Sequence, residues 1–119
     1  MVKSNPVFKM FDTDREDGQY AIYLEAEESK PLSDAMKELG LGFYTFWIEE
    51  GHTDLPSDMK TMNVSGRGFC CVDYFSGEED YIGWIVMFNE SNEMYYRFIS
   101  HAVVSPWMKI NATVDVNRP

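Results

Sequence analysis

Chemistry in this chain has few places to reside: adjacent cysteines at 70 and 71, histidines at 52 and 101, and an acidic run at residues 12–18. Cys70 and Cys71 fall inside the apolar run Phe69-Cys70-Cys71-Val72, and a disulfide between sequence neighbours is strained, so both read as reduced packing residues rather than nucleophiles. His52 sits among Glu49, Glu50 and Asp54, where carboxylates could raise its pKa or share a divalent cation, although a loop histidine beside acids is more often solvated. The run Asp12-Thr13-Asp14-Arg15-Glu16-Asp17-Gly18 places oxygens at alternate positions, as a calcium loop does. Its glycine comes one position late, and Tyr23 stands where a bidentate Glu belongs, so an acidic hairpin tip is the better reading. The spacings His-x-x-x-His, Glu-x-x-His and Cys-x-x-Cys are absent, as are a Walker loop and a serine elbow. The expectation is no catalytic residue, no metal and no cofactor.

The elements that must position any site form one unit, because 119 residues at 13.8 kDa suffice for one compact domain spanning 1–119. Residues 7–11 and 19–26 are β-type runs flanking an Asp-Gly turn signal, which predicts a hairpin. Leu32, Ala35, Met36 and Leu39 recur at helical spacing, with Pro31 suited to the first turn, Ser29 to the cap and Gly40 to the stop. A helix over about 30–39 follows. Residues 43–48 and 81–88 read as strands apolar on both faces, and Gly83 as a bulge or a close backbone contact. Residues 60–64 suit a short edge strand, 65–68 a turn leading into the run 69–75, and 107–116 a terminal strand. Residues 91–104 fit a second helix or a strand, with composition favouring the strand.

The sum is an α+β domain: a mostly antiparallel sheet of about five to seven strands, one helix, and 91–104 as the candidate for a second. One helix covers one face of a sheet, yet two strands are apolar on both. A second helix, a curled sheet or a second copy of the chain must cover the other face, and a homodimer is one expectation.

Charge carries the clearest pattern. The net charge is -10, and residues 12–58 hold all of it, with thirteen acids against three bases. Such a chain is repelled by nucleic acid and by anionic membranes, so neither is expected as a direct partner. Its 45% apolar and 15% aromatic content distinguishes it from a disordered acidic tail. No N-terminal stretch reads as a signal peptide and no run is long enough to span a membrane, giving the expectation of a soluble cytoplasmic protein. Acids interleaved with aromatics could form a surface complementary to a basic groove. The residues assigned to it are Asp12, Asp14, Glu16, Asp17, Glu25, Glu27, Glu28, Glu49, Glu50, Asp54 and Asp58, with Tyr23 and Trp47 as aromatic anchors.

In size, charge and compactness the chain resembles phage anti-restriction and anti-CRISPR proteins and the immunity proteins of nuclease toxins. No motif carries that resemblance. It implies a protein-binding inhibitor that mimics nucleic acid on a basic partner, as in counter-defence. Two other readings stand beside it. One is a small oligomeric enzyme or ligand-binding domain with a pocket lined by Trp47, Tyr81 and Trp84 and completed by a carboxylate or His52. The other is a structural or assembly subunit.

Overall fold

The computed structural model describes residues 7–9, as backbone, and 20–111. Its elements in chain order are β1 (Val7–Lys9), β2 (Ile22–Leu24), α1 (Leu32–Leu39), β3 (Gly42–Ile48), α2 (Ser57–Met62), β4 (Gly66–Gly77), β5 (Asp80–Phe88), β6 (Met94–Ser100), β7 (Val103–Val104) and β8 (Met108–Ile110). All strands belong to one sheet. β3, β4, β5 and β6 form an antiparallel meander, and β7 and β8 pair antiparallel with β6. The architecture is the expected α+β, mostly antiparallel.

The first two strands correct the hairpin. β1 and β2 do not pair with each other: Lys9 pairs Tyr44 and Ile22 pairs Phe46, both parallel, so the strands lie end to end along one edge of β3. The Asp-Gly turn signal is local chemistry, whereas this pairing reaches across more than twenty residues of chain. Residues 12–18, on which the turn and calcium-loop readings rest, lie outside the described residues, as does the end of the 107–116 strand beyond β8.

α1 forms where the periodicity places it and buries Leu32, Ala35 and Met36, leaving Leu39 exposed. Gly40 closes it at φ 80°, donating its N–H to the Met36 carbonyl at 2.9 Å. Ser29 does not cap it. Pro31 occupies the cap position, and the free N–H of Leu32 donates instead to Asp54 Oδ2 at 2.9 Å, a side chain twenty-two residues downstream.

Two further readings change. Residues 57–62 form the short helix α2, where 60–64 suited a strand, bounded by Pro56 and by Asn63 in the left-handed region at φ 58°. Six residues with Met59 as their one buried side chain show no periodicity to read. Ser65-Gly66-Arg67-Gly68 is no turn; Gly66 and Gly68 lie inside β4 because a Cβ at Gly68 would collide with the Val86 carbonyl on the neighbouring strand. Residues 91–104 hold the strands β6 and β7, as composition favours, joined by a turn at 101–102, and the second helix is α2. Gly83 makes the expected close approach, against the Cys71 carbonyl, beside a register shift between Val72 and Tyr74.

Strand register divides the sheet cleanly into two faces. Tyr44, Cys70, Ile85 and Arg97 align across one face, with Phe46, Met87, Tyr95 and Ile99 beside them. Both helices cover this side: Met36 reaches Gly83, Met59 reaches Gly66, and the Tyr81 hydroxyl donates to the Ser33 carbonyl at 3.2 Å. The other face carries Phe43, Phe69, Trp84 and Phe98, and no helix among the described residues lies over it.

Candidate binding surfaces

The residues singled out from sequence separate into different environments. Cys70 is fully buried on the covered face, and burial, with a smaller contribution from Cys71, pushes its thiol well above the ordinary range. Cys71 is half-buried on the open face and also raised, by burial and then by Asp73. Neither is poised as a thiolate. His52 is not the solvated loop histidine expected; it is fully buried. Its Nδ1 accepts the Asp54 N–H at 3.0 Å, which puts the imidazole proton on Nε2, an atom with no hydrogen-bond partner among the described residues. His101 lies in an exposed turn, 2.7 Å from Asp80. The described residues contain no group of three potential metal ligands.

The aromatic pocket drawn from Trp47, Tyr81 and Trp84 does not assemble. Tyr81 points to the covered face and both tryptophans to the open one, because residues an odd number of positions apart on paired strands face opposite ways.

The acids divide by role. Glu49 is internal bracing: its Oε1 accepts the Ala26 N–H at 2.9 Å and its Oε2 the Tyr23 hydroxyl at 3.4 Å. Asp54 pairs with Arg97 Nη1 at 3.0 Å, with both side chains largely buried, while also holding Leu32. Asp58 accepts from the Tyr95 hydroxyl at 2.9 Å and from Lys109 Nζ at 3.1 Å. Burial pushes the Asp58 carboxyl up, but those two hydrogen bonds outweigh it and hold it below its ordinary range. Glu49, Asp54 and Asp58 thus serve internal bonds, with the Asp58 side chain still 42% exposed. Glu25, Glu27, Glu28 and Glu50 remain, with no ion pair among the described residues. They share one end of the sheet, since β2 and β3 run parallel there and Glu49 N–H extends their pairing to the Leu24 carbonyl at 2.9 Å. Tyr23 and Trp47 are register partners at this same end, so the two aromatic anchors are brought together next to the acids. Asp12, Asp14, Glu16 and Asp17 lie outside the described residues.

Sequence reasoning missed a groove of about 580 Å³ between the 53–56 loop with the first turn of α2, β6 and β8. Arg97 stacks over the Trp107 ring at 4.3 Å, and the Trp107 indole N–H donates to the Asp54 carbonyl at 2.7 Å. Lys109 joins Asp58 to Glu93, which it approaches at 2.8 Å, and these bonds, Glu93 first, raise its own pKa. Apart from Lys60, whose ammonium donates to the Thr53 carbonyl at 3.3 Å, its cations and acids are paired with one another, so the groove reads as the seam that fixes β8 to the loop. The only signal for it in sequence was the isolated Trp107 after Pro106.

An α+β domain with a helix-covered sheet face, an open aromatic face and an acidic end is what these observations define. No family model, curated protein or solved structure matches the chain. Among the described residues no helix is long and apolar enough to cross a membrane.

Proposed function

We propose that the protein is a cytoplasmic, non-catalytic binding protein whose acidic end engages a basic, nucleic-acid-binding partner and blocks it. The observation that supports this reading is the group Glu25, Glu27, Glu28 and Glu50: four carboxylates at one end of the sheet, without compensating cations among the described residues, bordered by Tyr23 and Trp47. Acids that served only internal structure would be paired, as Glu49, Asp54 and Asp58 are. Unpaired carboxylates in a group raise association rate with a positive groove, and flanking aromatic rings lengthen residence. A groove of that kind is characteristic of proteins that hold nucleic-acid backbones.

The test is inhibition of DNA cleavage by purified nucleases of the restriction, CRISPR and bacterial toxin types. Inhibition of one of them is expected, weakening as salt rises and lost when all four glutamates are changed to lysine. Absence of inhibition across the three classes, or inhibition that is indifferent to both salt and charge reversal, would falsify the reading.

A further inference from the structure

We infer that the open sheet face is the interface of a symmetric homodimer, two copies packing sheet against sheet. Among the described residues eight large apolar side chains are exposed, and six of them share this face: Phe69, Tyr74, Phe98, Val103, Met108 and Ile110. Register proves the grouping. Phe69 aligns through Val86 and Tyr96 with Met108, Met94 pairs Ile110, Tyr74 pairs Ile82, and Ser100 pairs Val103. A contiguous patch of this kind is not left to water without a function.

Charge indicates the occupant. The rows of this face that run through Phe43, Phe69 and Trp47 carry one charge, Arg67, although the chain as a whole bears -10; the acids of the face, Asp73 in the bulge before Tyr74 and Asp80 2.7 Å from His101, lie at one end. Two copies of so acidic a chain repel each other in most orientations, and the central rows of this face are where they meet without opposing carboxylates. Those rows also offer almost no charge pattern with which to select a different protein. Size agrees: five strands at about 4.8 Å spacing and about seven residues in length give a flat footprint on the order of 550 Å² before side-chain relief is added. Relief brings that close to the roughly 800 Å² per partner of a specific interface. In a two-fold arrangement the same patch serves both copies, and aligned sheet packing lets the ring rows interdigitate. Glu25, Glu27, Glu28 and Glu50 lie outside the strands of this face, so this inference is tested separately from the inhibitor reading.

The experiment is sedimentation equilibrium of the full chain over a wide concentration range at low and high salt, with Phe98→Glu and Val103→Asp alongside. The wild type is expected to approach twice 13.8 kDa, and to associate more tightly at high salt, where repulsion between like-charged copies is screened. Phe98→Glu should weaken association on the order of 100-fold, as loss of an interface anchor does. Val103 is 70% exposed, so an aspartate there leaves the monomer folded, as far-UV circular dichroism would show, and still weakens the dimer. Alkylation of Cys71 by a neutral maleimide should slow as wild-type concentration rises. A single 13.8 kDa species at every concentration overturns the inference. If Phe98→Glu then lowers the melting temperature of that monomer, the occupant is a segment of the chain's own residues 10–19 or 112–119; if it does not, the occupant is a different protein. Open-ended association unaffected by either variant overturns it as well.

Discussion

The same strands β3 to β6 supply both faces of the sheet, yet the faces follow opposite rules. On the covered face the hydroxyls of the buried tyrosines have been given work. Tyr44 donates to the Gly40 carbonyl, Tyr81 to that of Ser33, and Tyr95 to the Asp58 carboxylate. On the open face the side chains are mainly rings, in edge contacts such as Phe43 against Trp84 at 5.7 Å, and they meet no helix among the described residues. Three tyrosines on the covered face are hydrogen-bonded inside a closed core; on the open face rings dominate, and a polar group such as the Tyr74 hydroxyl, which donates to Asp80 at 3.4 Å, sits on an exposed side chain. The contrast teaches that apolar content alone does not distinguish the two faces, whereas the burial of the hydroxyls placed among the apolar groups does.

The largest effect should come from truncating one ring on each face. Phe46→Ala, at a fully buried position, should cost about 3–5 kcal/mol in urea unfolding, while Phe98→Ala, 42% exposed, should cost under about 1 kcal/mol at concentrations low enough to keep the chain monomeric. Equal costs would erase the distinction. Next comes the loop that seals the covered face. Asp54→Ala strands the largely buried Arg97 guanidinium and frees the Leu32 N–H, and about 2–3 kcal/mol of lost stability is expected; a loss below about 0.5 kcal/mol would show that the pair behaves as a surface bridge. The smallest is a pH effect. Burial, then the neighbouring Cys70 and Cys71, pushes Tyr44 from the usual 10 up to about 12. A folded-state pKa above the unfolded one gives stability that is complete below pH 10 and is lost as pH rises towards 12. Urea midpoints measured across that window should fall for the wild type and fall less steeply for Tyr44→Phe. An identical slope in the variant would mean other groups carry the alkaline loss.

What was legible in sequence was whatever depends on near neighbours. Leu32, Ala35 and Met36 announce α1 because a helix is a local object, and the runs 43–48 and 81–88 announced strands that are apolar on both sides. That double-sided pattern by itself asks what covers the second face. The hairpin reading of 7–26 went wrong because β1 and β2 find their partner in β3, and parallel pairing leaves no turn signature. Glu49, Asp54 and Asp58 were indistinguishable from Glu25, Glu27 and Glu50 as acids in polar loops. Only the fold brings Arg97, Trp107 and Lys109, forty to more than fifty residues away, up against residues 53–58.

That convergence on Asp54 has a consequence for motion. Through its carboxylate and its carbonyl one residue holds the start of α1, the middle of β6 and the indole beside β8. β8 is three residues long and lies at a sheet edge, the kind of element that ordinarily frays by itself. Here it cannot detach without releasing the loop, and the loop cannot move without uncapping the helix. The amides of Leu32 and Asp54 should therefore exchange with solvent together, in one cooperative opening, and this side of the molecule lacks a separately unfolding unit.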